Sequence, residues 1–68
     1  MIKVQDIIYD EAAKEVTISA FSDTKSEVIP GAEMVGLPTG YKIAMGSRVL
    51  TASGEMAFMK SDGTWNWA

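Results

Sequence analysis

The sequence predicts an all-β fold: a single small domain of about five to seven short antiparallel strands, joined as hairpins and a meander, sandwich- or barrel-like, and completed by oligomerisation. Three observations predict it. Turn formers recur at Asp10-Glu11, Ser22-Asp23, Pro30-Gly31, Gly36 to Gly40, Gly46-Ser47, Ser53-Gly54 and Asp62-Gly63, mostly 6 to 13 residues apart, which suits short strands. The segments between them are rich in β-branched and aromatic residues. The chain has 68 residues and no cysteine, so it holds one small core with no disulfide to staple it, and partner subunits are the remaining common support.

Residues 2–21 read as an N-terminal hairpin. Ile2 to Tyr9 is β-branched, Val16-Thr17-Ile18-Ser19-Ala20-Phe21 is its partner, and Glu11-Ala12-Ala13-Lys14-Glu15 is too short for an isolated helix and forms the tip. Residues 22–40 read as a loop-rich crossover. From Asp23 to Gly40 they hold both prolines and three of the six glycines, and Gly36-Leu37-Pro38-Thr39-Gly40 is a loop, since proline cannot donate to a central ladder.

Residues 41–68 read as a C-terminal meander, because Ser53-Gly54 and Asp62-Gly63 flank Met56-Ala57-Phe58-Met59. Asp-Gly between apolar strands is the strongest short hairpin signal. Taken as two-residue loops, these turns oppose Val49 to Phe58, Lys60 to Trp65 and Phe58 to Trp67. Val49, Thr51, Met56, Phe58, Lys60, Trp65 and Trp67 then share the core face. Leu50, Ala57 and Met59 form an apolar island on the opposite face, suited to meeting another subunit. The expected interface is therefore Leu50, Ala57 and Met59, with Trp65 and Trp67 in the core or completing a seam between subunits.

Composition narrows the function. Forty-seven per cent of the residues are apolar and 22% charged, the balance of a globular chain rather than a disordered one. Nine acids against six scattered bases give a net charge of −3, which repels phosphate backbones, so no nucleic-acid partner is expected. No apolar run reaches the ~18 residues of a membrane span, and Met1-Ile2-Lys3-Val4-Gln5-Asp6 lacks the order of a signal peptide, so no membrane partner is expected either. Met1 and the close at Trp67-Ala68 read as a complete small gene product.

Catalytic chemistry finds little material. There is no histidine and no cysteine, so thiolate zinc sites and cysteine nucleophiles are excluded, and Ser47 and Ser53 have no histidine to activate them. Asp10, Glu11 and Glu15 lack the order of a calcium loop, and Gly36 to Gly40 lacks the spacing of a phosphate loop. We expect no catalytic residue, cofactor or metal. The methionines are read as gap-filling core. Trp65 and Trp67, at i and i+2, read first as core and second as a platform for sugar rings.

The segment Met45-Gly46-Ser47-Arg48-Val49-Leu50-Thr51-Ala52-Ser53-Gly54-Glu55-Met56-Ala57-Phe58-Met59-Lys60-Ser61-Asp62-Gly63-Thr64-Trp65-Asn66-Trp67 resembles the closing hairpins of small structural proteins of tailed bacteriophages and prophages. The match lies in Gly46-Ser47, Gly54, the apolar Met56 to Met59 and Asp62-Gly63-Thr64-Trp65, with Leu37-Pro38-Thr39-Gly40 as the leading loop. This resemblance implies a non-enzymatic virion subunit made in the bacterial host cytoplasm, acting in capsid decoration, a head fibre or a tail accessory. Its partners would be copies of itself, a trimer for example, and a larger capsid or tail protein. The alternatives are a phage glycan-binding module using the tryptophans and a small phage inhibitor of a host protein.

Overall fold

The computed structural model describes residues 1–38 and 40–68, so Thr39 of the expected Gly36 to Gly40 loop lies outside the described residues. The chain is all-β. Among the described residues six strands, β1 (Ile2–Asp10), β2 (Glu15–Ser22), β3 (Lys42–Ile43), β4 (Arg48–Thr51), β5 (Met56–Met59) and β6 (Trp65–Trp67), form one sheet in the order β1-β2-β4-β5-β6, with β3 also on β2. Among the described residues the sheet is open, neither closed into a barrel nor doubled into a sandwich.

The first hairpin forms where the β-branched runs place it. Ile7 opposes Ile18, Tyr9 opposes Val16, and Asp10 opposes Glu15 across a tip of residues 11–14. Lys14 closes the tip at φ 55°, and the Asp10 carboxylate accepts the Ala13 N–H at 3.2 Å. Gln5 bulges out of β1, because Val4 pairs with Ala20 but Asp6 with Ser19. On β2, Val16, Ile18, Ala20 and Ser22 are buried, whereas Thr17 and Phe21 face solvent.

The expected all-antiparallel pairing is corrected at the centre of the sheet, where β2 runs parallel to both β3 and β4. A parallel pair needs a crossover of a dozen or more residues, and residues 23–47 supply it. Two 3₁₀ turns, Lys25–Glu27 and Ala32–Val35, shape this segment, and Gly36 at φ 82° ends the second. Ala32 is buried, and Val28, Met34, Val35, Leu37 and Tyr41 pack against the core of Val16, Ile18, Ala20, Ile43, Val49 and Met59. The crossover thus covers one face of the sheet.

The strands β3 and β4 lie end to end along β2 but out of step. Glu15 pairs with Lys42, 27 positions on, whereas Ser19 pairs with Arg48, 29 positions on. The two surplus residues bulge between the strands and interrupt the backbone ladder opposite Ile18. Ser47, fully buried, repairs it: its hydroxyl accepts the Ile18 N–H at 3.0 Å. Its carbonyl accepts the Met59 N–H at 2.9 Å, which ties the repair to β5.

Both closing hairpins form at the expected dipeptides, with three-residue loops rather than two. Thr51 N–H donates to the Glu55 carbonyl at 2.8 Å across Ala52-Ser53-Gly54, and Lys60 N–H to the Thr64 carbonyl at 2.9 Å across Ser61-Asp62-Gly63. In each loop the glycine is left-handed, Gly54 at φ 91° and Gly63 at φ 85°, as a type I turn followed by a glycine bulge requires. The register therefore moves by one residue at each turn. Val49 opposes Ala57 and Ala57 opposes Trp67, whereas Arg48 opposes Phe58 and Phe58 opposes Asn66. A one-residue slip reverses the faces of a strand, so β5 is turned over relative to the expectation. At β6 the two slips cancel, and Trp65 and Trp67 keep the core side.

Candidate functional site

The face of the sheet opposite the crossover carries the residues available to a partner. Successive residues of a strand alternate between faces, so the register assigns the side chains directly. Phe21 on β2, Leu50 on β4 and Met56 on β5 lie in one row, and Ser19, Arg48, Phe58 and Asn66 in the next. Phe21 is 41% exposed and Phe58 38%, with Leu50 and Met56 half-buried between them. Four large apolar side chains on three adjacent strands thus form one patch, edged by Lys3 and Arg48. Where β2 and β4 end, a shallow hollow of about 290 Å³ opens between Phe21 and Leu50.

Of the expected interface residues, Leu50 lies on this outward face. Ala57 and Met59 do not, and their assignment is corrected. They are 0% and 3% exposed and belong to the core, because the three-residue loop after Thr51 turned β5 over. Met56 and Phe58, expected in the core, take their place outside. Phe21 was missed altogether, although the alternation of Val16, Ile18 and Ala20 already directs Thr17, Ser19 and Phe21 to the other side.

Trp65 and Trp67 sit half-buried on the covered side, where they join β6 to the crossover of the same chain. The Trp65 indole N–H donates to the Ile29 carbonyl at 2.7 Å, which satisfies the polar edge of a ring packed against the core. The ammonium of Lys25 lies 4.7 Å from the centroid of the Trp67 ring and 3.4 Å from the Glu55 carboxylate. Both indoles are engaged within the chain, and they do not form an outward plate.

A second concavity, a cleft of about 430 Å³, lies between β3 and the tip of the β5–β6 hairpin. Its charged walls alternate in sign, with Glu15 and Asp62 against Lys42 and Lys60. Asp62 is already committed: it accepts the Thr64 hydroxyl at 2.7 Å and the Thr64 N–H at 3.0 Å, and these bonds hold its pKa below the ordinary aspartate value. Its role is to shape the turn.

Compared with protein-family models, with curated proteins and with solved structures, the chain matches none.

Proposed function

We propose that this chain is a non-enzymatic structural subunit of a tailed-phage or prophage virion, which self-assembles through its outward sheet face and docks on a larger capsid or tail protein. The observation that carries self-assembly is the patch of Phe21, Leu50, Met56 and Phe58, which no element covers among the described residues. Size supports it, since a domain of about 60 residues buries only about 60% of its unfolded surface and gains much by burying more against a copy of itself. The fully buried core is also built largely of small side chains, Ala20, Ala32 and Ala57 among them. The phage setting rests on the Gly46-Ser47 to Trp65 resemblance.

The test is the solution mass by light scattering across at least a tenfold dilution. Wild type should be a multimer, and Phe58→Glu, a change on the exposed face, should be a monomer with an unchanged β circular-dichroism spectrum. A folded wild-type monomer of 7.3 kDa at every concentration would remove the proposal.

A further inference from the structure

The outer edge of β1 is a second surface, distinct from the sheet face. Among the described residues no strand pairs with this edge, and β1 is nine residues long, whereas β6 at the opposite edge is three. An edge strand presents a row of unpaired N–H and C=O groups, and proteins normally blunt it by shortness, proline, charge or a bulge. Here the Gln5 bulge interrupts only the first half. The second half, Asp6-Ile7-Ile8-Tyr9-Asp10, pairs regularly with β2 and has no proline or glycine. Ile8 is 63% exposed and Tyr9 50%, so the run displays apolar side chains at an open edge.

The charges select what can be added. Asp6, Ile8 and Asp10 share the outward face with Thr17 and Ser19, and Asp10 stands opposite Glu15. An antiparallel copy of the same strand, related by a two-fold axis normal to the sheet, pairs all five residues only when centred on Ile8. That register sets Asp6 against Asp10 at both ends, and like charges directly opposite are destabilising. The edge is therefore protected against its own copy while remaining open to a strand of opposite charge. We infer that the 6–10 edge of β1 accepts an added antiparallel strand from a different protein. That strand carries lysine or arginine at two positions four residues apart, opposite Asp6 and Asp10, with apolar β-formers between them. Main-chain bonds supply the attachment, and the two acids supply orientation and choice of partner. This surface is separate from the Phe21–Phe58 face, so either one can fail without the other.

The probe is a capped nine-residue peptide with Lys-Val-Ile-Val-Lys at its centre, compared with the same peptide carrying Glu in place of both lysines. Amide shifts and hydrogen exchange in the labelled protein report where each one binds. The lysine peptide should perturb and protect amides of residues 6–10, and the glutamate peptide should bind about tenfold more weakly, from two pairs changed from attraction to repulsion. Asp6→Lys with Asp10→Asn, which keeps the oxygen that accepts the Ala13 N–H, should reverse the preference at unchanged fold. Equal binding of the two peptides, no binding of either, or shifts confined to the Phe21–Phe58 face would overturn the inference. Running both peptides on Phe58→Glu separates this outcome from a failure of self-assembly.

Discussion

Ser47→Ala tests the repair of the broken ladder. The substitution removes one oxygen at a site with no solvent access, and the Ile18 N–H, in the middle of β2, loses its acceptor. A buried donor left without a partner costs about 1–3 kcal/mol, more than the net worth of an ordinary hydrogen bond, because its desolvation is no longer offset. The whole stability of a 68-residue domain is about 3–10 kcal/mol at ~0.05–0.15 kcal/mol per residue. One hydroxyl thus carries a sizeable share. Urea unfolding followed by tryptophan fluorescence should show a lower midpoint at unchanged slope. Each kcal/mol should also lower the melting temperature by about 4–8 °C. Native-state exchange should be faster at the Ile18 amide than at its neighbours on β2. Ser61→Ala, at an exposed serine, serves as the control and should stay within about 0.5 kcal/mol of wild type. A Ser47→Ala loss no larger than that of the control, with Ile18 exchange unchanged, would refute the repair.

Met59→Glu should abolish cooperative unfolding rather than disperse a folded oligomer, because it places a carboxylate in the core at an energetic cost comparable to the whole stability; a folded monomeric variant by circular dichroism would contradict this. Gly63→Ala should cost about 1–2 kcal/mol in urea unfolding, wholly from the left-handed backbone, since a Cβ there meets nothing within 4 Å. Gly63→Asn should recover part of that loss, and Gly54→Ala should behave alike. Asp62, whose pKa is lowered first by the Thr64 hydroxyl and then by the Thr64 N–H, stabilises its turn fully above the ordinary aspartate pKa and loses that contribution as pH falls through the lowered value. An NMR titration should place the inflection of the Thr64 amide below the ordinary aspartate range, and Thr64→Val should move it back up.

The first hairpin was legible because two runs rich in β-branched residues flank a tip too short for a helix, although the bulge at Gln5 breaks the alternation of β1 and left no mark in the reading. The positions of the closing hairpins were legible too, from Ser53-Gly54 and Asp62-Gly63, but their registers were not. A left-handed glycine serves both a two-residue and a three-residue loop, and the apolar pattern could not decide between them, since Met56, Ala57, Phe58 and Met59 are apolar on both faces. That ambiguity sent Ala57 and Met59 to the surface in the reading and Met56 and Phe58 to the core. The parallel pairing of β2 with β4 leaves no local mark, because the residues it joins lie 29 positions apart and β2 reads the same whichever way its neighbour runs. Ser47 was equally silent: its chemistry depends on a two-residue mismatch that exists only once both strands are in place.

The parallel seam also has a kinetic meaning. On either side of it stand units made of near neighbours, the β1–β2 hairpin with its four-residue tip and the β4–β5–β6 meander with its three-residue turns. Joining them closes a 25-residue connection, residues 23–47, and relative to the four-residue tip this costs about 1.6 kcal/mol more in chain entropy. We expect the two units to form early and their zipping along β2 and β4 to limit the folding rate. Two peptides divided within the crossover would then carry a complete local unit each, and their recombination into one sheet would depend on concentration where the intact chain's folding does not.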